Sequence, residues 1–148
     1  MKFHWKLFPL QRKLEWDLDL ARGRLAALLR GSEHAAGVLR ALEGTHAEQS
    51  AAALAAVRRR TDPALHGQAL AYLAGMEARL ARARAQHAQL EGEVAAVRTE
   101  CTRCRQRLDT VEALHDDAFA QFTHAAQRGA AKEADFAWLA RGVEEERE

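Results

Sequence analysis

The chain has 148 residues, of which 48% are hydrophobic but only 6% aromatic, with 9 glycines and 2 prolines. Alanine, leucine, arginine and glutamate dominate, a bias that favours long helices and leaves little from which to build a large globular core. Basic residues (22) and acidic residues (21) nearly cancel to a formal net charge of +1, which argues against a dedicated nucleic-acid binder, and no apolar run is long enough to predict a membrane span. The charge is unevenly spread. Residues 1–60 carry 11 Lys/Arg against 6 Asp/Glu, while residues 109–148 carry 4 against 10.

The chain opens with MKFHWKLFPL. Charges follow its short apolar stretch at once and no small-residue cleavage site appears, so a secretory signal is not expected. Together with only two cysteines, this points to reduced thiols in a cytoplasm. Pro9 limits regular helix before it. Two arrangements are open to Phe3, Trp5 and Phe8: packing on Phe119 and Phe122, or a frayed terminus.

A first helix is expected over about residues 9–60. One seven-residue series in it runs Leu7, Leu14, Ala21, Leu28, Ala35, Leu42, Gln49, Ala56. A second, four residues on, runs Gln11, Leu18, Leu25, Ser32, Leu39, His46, Ala53. Alternating spacings of three and four make the seam of a left-handed coiled coil. The clearest breaker is RRRTDPALHG. Asp62 followed by Pro63 reads as an N-cap and first helical position. The arginines before it suit the negative dipole end of the preceding helix.

A second helix is expected from Pro63 to about residue 142. Its seam runs His66, Leu73, Leu80, His87, Val94, Cys101, Leu108, His115, Phe122. Three residues on come Ala69, Met76, Ala83, Leu90, Val97, Cys104, Val111, Ala118, Ala125. A short connection near residues 61–62 forces the two helices antiparallel. The expected fold is therefore all-α: a single, long two-helix antiparallel coiled-coil hairpin over residues 1–148. Leucine, valine and phenylalanine fill the seam near the chain ends. Toward the turn the first helix offers His46, Gln49, Ala53 and Ala56, so the hairpin should be firm at its termini and looser at its turn.

The stretch ECTRCRQRL holds both cysteines, Cys101 and Cys104. Their spacing invites a thiol or metal reading. A thioredoxin-like motif needs a helix N-terminus after a strand, and a zinc site needs further ligands, which a dimer pooling four cysteines would supply. On adjacent seam positions mid-helix, the pair also reads as small hydrophobes. His46, His66, His87 and His115 are likewise half-exposed seam residues or elements of a pH switch. Carboxylates are scattered, and no phosphate loop, serine nucleophile or paired acid site emerges. No enzymatic activity, cofactor or metal is expected.

Beyond residue 128, RGAAKEADFAWLARGVEEERE continues the seam register with Phe136, Leu139 and Val143, and Trp138 beside it. No first helix remains opposite. The stripe either awaits a partner or folds back on the N-terminal aromatics. The closing EEERE places negative charge at a helix C-terminus, which disfavours its last turn.

Two stretches carry a likeness to a known family. In AYLAGMEARL, residues 71–80, Tyr72, Leu73, Met76, Glu77 and Leu80 fill an aromatic–aliphatic–x–x–aliphatic–Glu–x–x–aliphatic pattern. In KEADFAWLAR, residues 132–141, a Lys, an Asp, an aromatic and a late Arg recur. With the length and the two heptad halves, the chain resembles the FliJ/YscO stalk proteins of type III secretion systems, flagellar or injectisome. The resemblance implies a non-catalytic stalk with both termini at one end, cytoplasmic and peripheral to the inner-membrane export apparatus. That end would insert in the ring of a hexameric secretion ATPase, with Phe136, Trp138 and Leu139 as contact candidates. Tyr72 and Met76 would be candidates for the export gate protein, although Arg79 and Ala83 stand where the family tends to carry Ala and His. Export chaperones are partners of some members. No nucleic acid and no membrane insertion are implied.

Two other classes fit the residues. A generic coiled-coil scaffold or chaperone would dimerise one-to-one and leave an ATPase unaffected. A Cys-x-x-Cys thiol or metal protein would bind zinc or cycle between redox states.

Overall fold

The computed structural model describes residues 2–60 and 62–145, with side chains as far as Leu139. Two helices account for nearly all of it: α1, Phe8–Arg58, and α2, Pro63–Glu145. They form an all-α, antiparallel two-helix hairpin, and no strand occurs among the described residues.

Local chemistry explains the ends. At the start of α1, the Phe8 N–H donates to the Trp5 carbonyl (3.3 Å) and Gln11 N–H to the Leu7 carbonyl (2.9 Å). Pro9 falls within that first turn, where its missing donor costs nothing. At the end of α1, Arg60 takes a left-handed backbone (φ 53°), and its N–H donates to the Val57 carbonyl at 3.0 Å. Asp62 opens α2. Its Oδ1 accepts from the Ala64 N–H at 3.0 Å, and its carbonyl accepts from the His66 N–H at 3.2 Å. That is the geometry of an N-cap residue, with Pro63 at the first helical position.

The chain divides into two compact units, each with segments from both helices: Met1–Leu18 with Arg103–Glu148, and Asp19–Thr102. In the first, Leu14, Leu18, Leu108 and Val111 are buried together, with Trp5 and Cys104 against them. In the second, the buried residues are Ala21, Ser32, Ala35, Met76, Leu80 and Val94. Nearly every residue of the four heptad series is buried or half-buried. Leu7, Gln49 and Ala125 are the exposed ones.

Contacts across the second unit fix direction and register. Arg24 pairs with Glu100, the Ser32 hydroxyl donates to Glu91, Arg84 meets Glu43 at 2.9 Å, and His46 meets Glu77 at 3.6 Å. As the α1 number rises the α2 number falls, so the helices run antiparallel. The two Arg–Glu pairs are exposed and each adds no more than about 1 kcal/mol. They set register more than they add stability.

Candidate interaction surface

The N-terminal residues ahead of α1 are not helical, yet they pack. The Phe3 ring lies 5.6 Å from that of His115, 5.3 Å from Phe119 and 5.5 Å from Phe122. Trp5 meets His115 edge-on at 5.2 Å, and His115 and Phe119 are parallel at 6.4 Å. Aromatic pairs at such separations add roughly 0.5–1.5 kcal/mol each beyond the area they bury. Of the two arrangements open to this segment, packing is the one adopted. Phe8 is the exception. It stands exposed at the first position of α1, because it lies off the seam line on which half-buried Gln11 and buried Leu14 sit. Trp5 is held with its indole N–H buried and without a hydrogen-bond partner.

This segment covers α2 as far as Phe122. From His124 to Leu139 every α2 residue is exposed. Phe136, Trp138 and Leu139 are 71%, 72% and 54% exposed, so the stripe does not fold back on the N-terminal aromatics. Phe136 and Leu139 continue the seam line. At about 100° per residue, Trp138 lies some 200° round the helix from Phe136, so the two aromatics straddle it. A partner that engages both must reach both sides of a lone helix. Val143 and the EEERE end lie outside the residues whose side chains are described.

The other pair of candidates separates. Tyr72 is 53% exposed, whereas Met76 is 3% exposed. Met76 therefore packs in the seam and offers no surface to a partner, which corrects its assignment as a contact residue. Four residues along a helix turn a side chain by about 400°, so Met76 sits 40° past Tyr72, enough to carry it into the seam. Tyr72 stands at the wall of a shallow groove floored by Ala53, Ala56, Ala69 and Leu73, with Gln49 and Ala52 at its edge.

Cys101 and Cys104 are free thiols, both half-buried. Cys104 packs on Leu14, Leu18, Leu108 and Val111. Of the seam histidines, His46 faces Glu77 (3.6 Å), His87 faces Glu91 (4.0 Å) and His115 faces Asp116 (3.2 Å). Nδ1 of His66 is buried without a hydrogen-bond partner. Among the described residues, no group of three or more His, Cys, Asp or Glu side chains is placed to hold a metal ion. No helix of the described residues is long and apolar enough to cross a membrane.

Heptad counting also passes over a set of large apolar side chains outside the seam. Leu54, Val57, Leu65 and Leu70, near the connection between the helices, are exposed. So is Trp16 on α1. Their signal in the sequence is a large apolar residue where a charged or small one usually stands.

No family model, curated protein or solved structure matches the chain.

Proposed function

We propose that this protein is a non-catalytic stalk component of a type III secretion export apparatus, working in the cytoplasm beside the inner membrane. One part of it enters the ring of a hexameric secretion ATPase, and another engages the export gate protein. Export chaperones are further partners in this reading. The observation that carries it is the bare stretch of α2, with Phe136, Trp138 and Leu139 all exposed, in the same unit as both chain termini. A hairpin whose second helix outlasts its first presents a single narrow helix beyond the pair. Such an element suits entry to a ring. An asymmetric hairpin cannot satisfy six equivalent subunits together, so its contacts there are modest and distributed, with aromatic anchors supplying most of the affinity. The likeness of residues 71–80 and 132–141 to the stalk family supports the same assignment. Tyr72 remains the gate-contact residue, and Met76 acts only by packing.

The test is a pull-down with a hydrolysis assay on the cognate ATPase. Trp138→Ala with Leu139→Ala leaves the hairpin folded, since both side chains are exposed. It should weaken ATPase binding by about tenfold or more, the usual loss at an anchor residue, and remove any stimulation of hydrolysis. Tyr72→Ala should spare the ATPase and impair the gate contact. If the Trp138/Leu139 variant stimulates the ATPase like wild type while remaining as helical, the stalk assignment of this end is wrong. A generic scaffold would instead form a one-to-one dimer and leave hydrolysis untouched by every variant.

A further inference from the structure

The end of the hairpin where α1 gives way to α2 has a composition unlike the rest of the chain. Between Gln49 and Met76 the only Lys or Arg residues are Arg58, Arg59 and Arg60, and the only acid is Asp62. All three arginines are exposed. The one acid caps α2, its Oδ1 accepting the Ala64 N–H, and it offsets only one of the three arginines. A local excess of positive charge is left at this end, although the whole chain carries only +1.

Large apolar side chains surround these arginines. Val57 and Leu70 lie two heptads toward the connection from Glu43 and Arg84, whose ion pair marks one flank of the helix pair. Leu65 and Tyr72 lie a whole number of heptads from Glu100, whose pairing with Arg24 marks the opposite flank. Leu54 stands on the outer side of α1. All five are exposed, Leu65 by 59%. The apolar groups thus ring a convex end and do not line one face.

That distribution selects the kind of surface that fits. A helical or peptide partner needs a continuous stripe or groove on one side, and the shallow groove beside Tyr72 takes in none of Leu54, Val57, Leu65 or Leu70. A fluid, planar surface accepts apolar groups from every flank of a protruding end, while long arginine side chains spread to its polar boundary. Positive charge beside apolar groups complements an anionic headgroup layer. We propose that this end of the hairpin, through Arg58, Arg59, Arg60, Val57 and Leu65, docks reversibly on an anionic lipid surface. It rests there without spanning the bilayer. The contact is independent of the Phe136–Leu139 stripe and stands whether or not that stripe enters an ATPase ring.

The test is sedimentation of the full-length protein with phosphatidylcholine vesicles, with or without phosphatidylglycerol. Binding is expected only to the anionic vesicles, weakening as salt rises. Each basic residue near such a surface contributes roughly fivefold, so R58Q/R59Q/R60Q should lose on the order of 100-fold in partitioning. The triple Arg→Lys variant keeps the charge and should bind like wild type. V57S/L65S should lose about tenfold, and inorganic phosphate should weaken binding no more than chloride does at equal ionic strength. Equal sedimentation with both vesicle types overturns the proposal, as does unchanged binding by the glutamine variant at wild-type helicity. Capture on immobilised polyglutamate without vesicle binding also overturns it, and would make this end a dock for acidic polypeptide.

Discussion

Arg60 and Asp62 flank the change of direction and pull opposite ways on stability. Asp62 supplies a side-chain acceptor to a helix start that would otherwise leave its first amides unpaired. Asp62→Ala should cost about 1 kcal/mol in urea unfolding. Arg60 sits at φ 53°, a conformation that crowds any side chain bearing a Cβ and that glycine adopts freely. Arg60→Gly should therefore stabilise by about 1 kcal/mol. If Arg60→Gly destabilises the protein, the left-handed turn is not what ends α1. The cysteines obey packing logic. With both half-buried, their joint replacement by alanine should cost about 1–2 kcal/mol, and replacement by valine should be nearly neutral. Stoichiometric zinc in the purified protein would overturn that account.

Along the helices, burial is concentrated away from the connection. Leu14, Leu18, Ala21, Ser32 and Ala35 are buried on α1, and no α1 residue after Ala35 is. His46, Ala53 and Ala56 are half-buried small or polar groups, which bury little apolar area and add little to stability. Hydrogen exchange should accordingly be slowest around residues 14–21 and 104–111, and much faster over 46–69. Uniform protection along α1 would refute this. The seam itself was legible because a 3–4 spacing sustained over many heptads leaves one face to bury. The Asp62-Pro63 boundary was legible because both residue types have one preferred place at a helix start. Other features were not. The Phe3–Phe119–Phe122 packing rests on a non-helical segment without periodicity, so packing and fraying stood equally open, although the heptad phase already put Phe8 off the seam. Met76 carried two roles at once, as a seam position and as part of a contact pattern, and burial settled which one the side chain fills. The left-handed Arg60 had no marker, since glycine is the residue that usually announces that conformation.

Taken whole, the chain keeps its two chemically distinct surfaces in different units. The Phe136–Leu139 stripe belongs to the unit holding both termini, and the Arg58–Arg60 end belongs to Asp19–Thr102. Mutations at one should leave the other's binding intact, because sites without shared partners behave additively. Charge follows the same division in part. The last forty residues carry 10 acids against 4 cations, while the connection is basic. An anionic surface that accepts the connection repels the acidic terminal stretch.

The three tryptophans, one half-buried and two exposed, make the protein its own optical probe. Trp5 is half-buried against His115, while Trp16 and Trp138 are exposed, 66% and 72%. Indole emission moves to shorter wavelength when water is excluded from the ring, so with Trp16 replaced Trp138 should report occupancy of the bare α2 stretch. In a Trp16→Phe background, titration with the secretion ATPase should blue-shift the emission, and titration with anionic vesicles should leave it in place. A vesicle-induced shift that survives Trp138→Phe would place the lipid beside Trp5 and not at the Arg58–Arg60 connection.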